Sequence, residues 1–150
     1  MTIICVKDGV MAADGSAFDG SVIVETSTAK IVRSVDGAIG AACGVSGLAR
    51  QFRDFFVTSN FDHRRAGWSS ADKESGFEAV WIEPDGDVWR MGWDGRPHAA
   101  PEISASGAPW ELALGAMYAG ASAEEAVRIC IARHAHAAGE IQVVRLREEP

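Results

Sequence analysis

The dipeptide Asp-Gly occurs six times in this chain of 150 residues, and it limits the fold more than any other feature of the sequence. It occupies residues 8–9, 14–15, 19–20, 36–37, 85–86 and 94–95. Asp-Gly between β-prone runs is typical of two-residue hairpin turns, because a type I′ turn needs positive φ at both central positions. The sequence therefore predicts a fold rich in antiparallel sheet.

Three of these dipeptides join apolar runs and predict hairpins. Residues 2–7 would pair with 10–14, residues 29–35 with 38–43, and residues 77–83 with 87–93. Residues 3–6 and 38–43 are apolar at successive positions, which indicates strands covered on both faces. The simplest architecture is a sandwich of two sheets with helices on the outside.

Three helices and a last strand complete the predicted order. The helices are expected over residues 47–60, 110–119 and 123–137, and the strand over residues 141–146. Pro109 suits the first turn of the second helix, Ser122 and Glu125 form a capping box for the third, and Gly139 is expected to end it. Residues 60–76 lack periodicity and are expected to form a loop. We expect one domain over residues 1–150, of mixed α and β structure.

Composition excludes several classes of function. The formal net charge of −7 argues against nucleic acid or an anionic membrane as the main partner. No apolar run approaches the roughly 20 residues that span a bilayer, and the first residues do not resemble a signal peptide. Cys5, Cys43 and Cys130 lie in apolar segments, which indicates reduced, buried thiols in a cytoplasmic protein. His134 and His136 have no third ligand nearby, so neither a metal nor a cofactor is expected.

Thr2 is a candidate nucleophile. Removal of Met1 is favoured by a small second residue and would leave Thr2 with a free α-amine. That amine has an ordinary pKa of about 7.7–8.0, so it can accept the hydroxyl proton near neutral pH. Counting back from a two-residue turn at residues 8–9 places Thr2 opposite Gly15, within cross-strand reach of Asp14.

A second hairpin count concerns Lys30. With a two-residue turn at residues 36–37, Lys30 lies opposite Cys43 and beside Gly44. A lysine would then lie next to a glycine where a strand turns into a helix. The counting does not show whether the two hairpins meet.

Six segments, taken in order, resemble the proteasome β-type family of N-terminal-nucleophile hydrolases, and most closely the bacterial HslV-type peptidase subunits. They are residues 1–7, 10–15, 28–33, 41–47, 105–110 and 138–141. The spacings from Asp14 to Lys30 and from Lys30 to Gly44 match as well. The resemblance implies an α+β fold, a four-layer αββα sandwich of two mainly antiparallel sheets flanked by helices.

The resemblance also implies a role for each of five residues. Thr2 would supply the attacking hydroxyl. Lys30, held by Asp14, would lower the pKa of that hydroxyl and of the amine. The backbone N–H of Gly44 would stabilise the oxyanion. Ser106 would bond the terminal amine and help to move the proton.

Each role has a simpler alternative. Asp14 would be only a turn residue, Lys30 only a strand-edge charge, and Ser106 only a helix cap. Gly44 would serve only a tight turn. Alignment of the first strand with the family, residue by residue, also places Met1, not Thr2, at the position of the terminal threonine.

The function implied is that of a threonine-type peptidase acting on peptides or proteins, as a homo-oligomer in the cytoplasm. An ATP-dependent unfoldase would be an external partner, since the chain carries no nucleotide-binding motif. The chain is shorter than a typical family member around residues 57–76, where a second outer helix would lie. Two alternatives remain: a catalytically inactive structural subunit that keeps Met1, and an N-terminal-nucleophile hydrolase of a small amide.

Overall fold

A computed structural model of the protein describes residues 2–19, 22–44, 46–58 and 76–147. Within these ranges the chain forms eleven strands and three helices. The strands are β1 (Ile3–Lys7), β2 (Val10–Ala13), β3 (Ala17–Asp19), β4 (Val22–Glu25), β5 (Ile31–Arg33), β6 (Ile39–Cys43), β7 (Glu78–Ile82), β8 (Val88–Met91), β9 (Pro97–Ala100), β10 (Ser104–Gly107) and β11 (Gln142–Arg145). The helices are α1 (Ser46–Thr58), α2 (Trp110–Tyr118) and α3 (Ala123–Arg133).

The strands form two main antiparallel sheets. The first sheet has the order β10-β1-β2-β11, and the second has the order β5-β6-β7-β8-β9. A separate antiparallel hairpin consists of β3 and β4. The protein is therefore an α+β protein with antiparallel sheets, as the sequence predicted.

The turn at residues 8–9 sets the register of the first hairpin. Asp8 has a φ of 55° and Gly9 a φ of 71°, which is the positive pair that a type I′ turn needs. Lys7 accordingly pairs with Val10, and the ladder continues in the same register toward the start of the chain. The count that placed Thr2 within reach of Asp14 therefore has the correct register.

The turn at residues 36–37 differs from its prediction. Ser34 pairs with Ala38 through a backbone hydrogen bond of 2.8 Å, so the loop contains three residues and not two. The Ser34 hydroxyl donates to the Asp36 carboxylate, and Gly37 has a φ of 96° at the end of the loop. Such a loop is a type I turn followed by a glycine bulge. The ladder is thereby shifted by one residue, and the prediction that Lys30 lies opposite Cys43 is wrong.

Three apolar clusters fill the spaces around the sheets. Ile3 and Cys5 of β1 pack with residues of α2 and α3, while Ile4 of β1 packs with Ile39 of β6 and other residues of the second sheet. A third cluster joins the second sheet to α1 through side chains such as Phe52. Strand β1 is therefore buried on both faces, and successive side chains enter different clusters.

The predicted helices are present with different ends. The capping box of Ser122 and Glu125 begins α3, but the helix ends at Arg133 and not at residue 137 as expected. Pro109 is the N-cap of α2, with no side-chain hydrogen bond to cap the helix. The loop expected over residues 60–76 and the missing second outer helix fall almost wholly outside the described residues. Among the described helices, none is long and apolar enough to cross a lipid bilayer.

Candidate active site

Thr2 lies at the start of β1, on the side of that strand that faces the second sheet. Side chains alternate along a strand, so Thr2 shares its face with Ile4, which packs in the cluster between the sheets. Thr2 is 8% exposed. The type I′ turn fixes this face, because a slip of one residue would turn Thr2 toward the helices instead.

Lys30 connects Thr2 with Asp14. Its ammonium group donates to Thr2 Oγ1 at 2.5 Å and to Asp14 Oδ1 at 2.8 Å. Lys30 is 4% exposed and Asp14 is fully buried. The three side chains thus form a chain of contacts from a carboxylate through a cation to a hydroxyl.

The Asp14 carboxylate is surrounded by donors. Oδ1 accepts from the backbone N–H of Ile3 at 3.0 Å as well as from Lys30. Oδ2 accepts from the Ser16 hydroxyl and from the backbone N–H of Ala138 at 3.1 Å. The two carboxylate oxygens thus accept from four donors, one of which is the Lys30 ammonium. Asp14 is more than a turn residue.

Burial lowers the pKa of Lys30, and the nearby negative charge of Asp14 opposes that effect. The positive charge of Arg53 also lowers the pKa of Lys30. A lysine that gives up its proton more readily than usual, next to a hydroxyl, can both donate a hydrogen bond to an alkoxide and exchange a proton with it. Lys30 is therefore not a charge at a strand edge.

Gln142 on β11 holds the backbone of Lys30 in place. Its Oε1 accepts from the N–H groups of Lys30 at 2.8 Å and of Ile31 at 2.9 Å, and its Nε2 donates to the Ile31 carbonyl at 3.0 Å. These bonds join the edge strand of the first sheet to the edge strand of the second. The start of β5, and with it the Lys30 side chain, is fixed from the opposite sheet.

Two glycines allow backbone to pass close to the site. Gly107 on β10 has a φ of 116°, and a Cβ there would lie 1.7 Å from the carbonyl oxygen of Thr2. Gly44 has a φ of 105°, and a Cβ there would lie 2.7 Å from the Cα of Phe77. Both positions require glycine, whatever further role the N–H of Gly44 has.

Ser106 lies on the same side of the first sheet as Thr2. It pairs with Ile4 across β1 and β10, so its side chain lies on the face that Ile4 and Thr2 share. The Ser106 hydroxyl donates to the Glu78 carboxylate at 2.5 Å and accepts from Arg90 at 3.1 Å. Glu78 and Arg90 also form an ion pair. Ser106 makes these bonds in place of a helix cap, since the N-cap of α2 is Pro109.

Two cavities meet at Thr2. The larger, of about 760 Å³, is lined by Thr2, Cys43, Gly44, Gly76, Glu78, Arg90, Ala105, Ser106, Gly107, Ala108 and Trp110. The smaller, of about 150 Å³, is lined by Thr2, Ser16, Ala17, Phe18, Thr28, Lys30, Ala42, Cys43, Gly44, Ala49 and Arg53. Thr2 and Gly44 belong to both linings. A molecule that reaches the Thr2 hydroxyl therefore passes Gly44 and can extend into either cavity.

The structure brings together the five residues singled out from the sequence. Lys30 is in direct contact with both Thr2 and Asp14, and Gly44 and Ser106 line the larger cavity with Thr2. Burial of the three cysteines is confirmed, and Cys43 lies in the wall of both cavities, where burial raises the pKa of its thiol to about 11.

Five other residues at the site were not anticipated: Ser16, Arg53, Glu78, Arg90 and Gln142. Two of them carried a signal in the sequence. Ser16 follows Asp14 by two residues, within reach of a local side-chain bond. Gln142 is a polar residue within an apolar strand, where its amide needs partners. Nothing in the sequence related Arg53, Glu78 or Arg90 to Thr2.

No family model matches the sequence, and no curated protein matches it either. Solved structures do match. Thiobacillus denitrificans BPH has 20% sequence identity and a TM-score of 0.70, with 99% of this chain and 100% of that chain covered. The same protein in complex with epoxomicin gives 19% identity and a TM-score of 0.73 over the same shares. Eukaryotic HslV from Trypanosoma brucei gives 15% identity and a TM-score of 0.69, over 97% of this chain and 99% of that chain. Over nearly its full length, this chain has the fold of HslV and of BPH.

Proposed function

We propose that this protein is a threonine-type peptidase that cleaves peptide bonds with Thr2 as its nucleophile after removal of Met1. The observation that carries the proposal is the bridge that the Lys30 ammonium makes between the Thr2 hydroxyl and the Asp14 carboxylate. A structural subunit without activity has no need of a buried cation directed at a hydroxyl that lines a cavity.

The first half of the reaction forms an ester. The free α-amine of Thr2 accepts the Oγ1 proton as Oγ1 attacks the substrate carbonyl carbon, and the carbonyl electron pair moves to oxygen. Lys30 stabilises the charge that develops on Oγ1, and the N–H of Gly44 would stabilise the oxyanion, an interaction worth about 3–4 kcal/mol in other hydrolases. Collapse of this intermediate breaks the C–N bond. The departing amine takes the proton from the α-ammonium group.

The second half returns the enzyme to its starting state. Water attacks the ester carbon, its proton passes to the α-amine, and the new carboxylic acid departs as Thr2 Oγ1 regains a proton. Ser106, held by Glu78 and Arg90, would bond the amine and keep it in position. Asp14 is a positioning residue in both halves, because it acts through Lys30.

The fold supports this reaction class. One of the solved structures with this fold, BPH, is a complex with epoxomicin, and we infer that this chain binds such an inhibitor as well. We also infer that its layers stack as a four-layer αββα sandwich, with the helices α2 and α3 outside the first sheet and α1 outside the second. The exposed side chains of Val22 and Val24 on β4 support association into a homo-oligomer. A cytoplasmic location and an external ATP-dependent unfoldase remain predictions.

Hydrolysis by matched variants tests the proposal. A fluorogenic peptide library is assayed with wild-type protein, Thr2→Ala, Lys30→Ala and the control Thr58→Ala, which removes a hydroxyl from the exposed end of α1. We expect Thr2→Ala and Lys30→Ala to lower kcat/KM by at least about a thousandfold, with Thr58→Ala unchanged.

The other outcomes separate the alternatives. Hydrolysis that survives both active-site substitutions contradicts the proposal. Retention of Met1 with no hydrolysis by the wild-type protein favours an inactive structural subunit. Turnover of small amides without turnover of peptides favours the small-amide hydrolase.

A further inference from the structure

Arg53 extends from α1 into the wall of the smaller cavity, which it shares with Thr2 and Lys30. The residue is partly buried, and burial lowers the pKa of its guanidinium. Its charge also acts on Lys30, whose pKa it lowers. Arg53 is thus close to the reacting groups, although it lies on a helix outside the sheets.

The Arg53 guanidinium makes no ion pair or hydrogen bond with any residue that the structure describes. The neighbouring Asp54 acts on its pKa only through charge. Asp14 cannot serve as a partner, because its two oxygens already accept from four donors. A partly buried guanidinium that bonds to none of the described residues is unusual, since its five N–H groups usually find acceptors.

The smaller cavity has a positive lining. Lys30 and Arg53 contribute two cations, and the lining residues that the structure describes include no aspartate or glutamate. Asp14 balances Lys30 from behind, whereas no described carboxylate forms an ion pair with Arg53. An anion that entered this cavity would meet a guanidinium at low dielectric and could form the two parallel hydrogen bonds that arginine makes with a carboxylate.

The position of the cavity identifies which part of a substrate enters it. Thr2 and Gly44 line the cavity, and the attacked carbonyl group lies between them in the proposed reaction. That carbonyl belongs to the residue on the amino-terminal side of the cleaved bond, and the side chain of this residue starts two bonds from the carbonyl carbon. A volume of about 150 Å³ suits one side chain, whereas the neighbouring 760 Å³ suits a peptide segment.

We propose that the smaller cavity binds an acidic side chain, and that the protein cleaves peptides after aspartate or glutamate with Arg53 as the residue that recognises the carboxylate. This inference rests on the proposed function and adds its substrate class.

Paired substrates test the inference. Peptides that differ only in glutamate or glutamine before the cleaved bond have the same shape and differ in charge. We expect wild-type kcat/KM to favour glutamate by roughly tenfold or more, as a hydrogen-bonded charge pair at low dielectric should give. Arg53→Met removes the preference, and Arg53→Lys retains part of it. Arg50→Met, on the exposed side of the same helix, leaves the preference and the activity unchanged.

Binding gives a second readout that does not depend on catalysis. Acetylated tripeptide amides ending in glutamate or glutamine are titrated calorimetrically into Thr2→Ala protein, with and without Arg53→Met. We expect tighter binding of the glutamate peptide by a similar factor, and no difference between the peptides once Arg53 is replaced.

The two readouts separate the two proposals. Peptide hydrolysis without a preference for glutamate, in rates and in binding, overturns the inference and leaves the proposed function standing. Preferential binding of the glutamate peptide without hydrolysis overturns the proposed function and supports the assignment of the cavity. If the protein shows no hydrolysis and no preferential binding, both proposals are overturned.

Discussion

Lys30 and Asp14 bring two opposite charges out of water, with side chains that are 5% and 0% exposed. Removing two ions from water costs several kcal/mol for each, and their attraction offsets this only when the remaining donors and acceptors are satisfied. Asp14 meets that condition through two backbone N–H groups and Ser16. A buried pair of this kind contributes little net stability. Its position against Thr2 therefore fits the proposed role in hydrolysis better than a role in stabilising the fold.

Replacement of Asp14 tests whether its carboxylate stabilises the buried charge of Lys30. In Asp14→Asn, an amide NH₂ replaces one oxygen and faces donors, and Lys30 loses its counter-charge. We expect the free energy of unfolding to fall by about 3–5 kcal/mol and hydrolysis to be lost. Ser16→Ala removes only one neutral donor and should cost about 1 kcal/mol. Urea denaturation measures the free energy of unfolding of both variants. Equal losses of stability in Asp14→Asn and Ser16→Ala would contradict the claim that the Asp14 charge matters more than a single hydrogen bond.

Counting along the sequence placed Asp14 near Thr2 but did not place the residues that reach the site from other elements. Thr2 and Asp14 are joined by one short hairpin, so counting from its turn was enough. Arg53 reaches the site from the middle of α1, and its role depends on how that helix packs on the second sheet. No local pattern contains that information.

At the scale of elements, two Asp-Gly dipeptides gave opposite results. At residues 8–9 both φ angles are positive, and the two-residue turn placed Thr2 correctly. At residues 36–37 the bond from Ser34 to Asp36 supports a three-residue loop, and the predicted register was wrong by one. The dipeptide signals a turn in both cases, but it does not fix the length of the loop.

Four short strands were not predicted. Strand β10 consists of small residues, Ser-Ala-Ser-Gly, with little intrinsic preference for a strand. Its partner β1 lies about a hundred residues earlier in the chain. Strands β3 and β4 are mostly exposed, and β9 begins with a proline at the edge of its sheet. Tertiary contacts define these strands, so local patterns did not reveal them.

The close approach of β10 to β1 makes Gly107 a sensitive position. A methyl group there would lie 1.7 Å from the Thr2 carbonyl oxygen, at a φ that other residues rarely adopt. We expect Gly107→Ala to lower the free energy of unfolding by at least about 2 kcal/mol and to abolish hydrolysis, because β1 must shift.

A glycine of α2 provides the matched control for this prediction. Gly115 has open space around its Cα, so Gly115→Ala should stabilise the protein by about 0.5–1 kcal/mol through helix propensity. Thermal unfolding and peptide hydrolysis are measured for both variants. Full activity in Gly107→Ala would show that β10 does not hold Thr2 in place.

At the scale of the whole molecule, the site lies where the apolar space between the two sheets ends. Thr2 continues the row of Ile4 and Val6, which fill that space, and Lys30 reaches it from the second sheet. Gln142 joins the facing edges of the sheets at the same end. The sequence predicted two sheets with helices outside, but not that their hairpins meet at this point, since the meeting depends on how the sheets stack.

Peptide mapping after treatment with epoxomicin shows whether Thr2 is a free terminal nucleophile. Untagged protein is incubated with the inhibitor, digested and analysed by mass spectrometry. We predict a first peptide that begins at Thr2 and carries the mass of the inhibitor, with no adduct in Thr2→Ala. A first peptide that begins at Met1 and carries no inhibitor would contradict it.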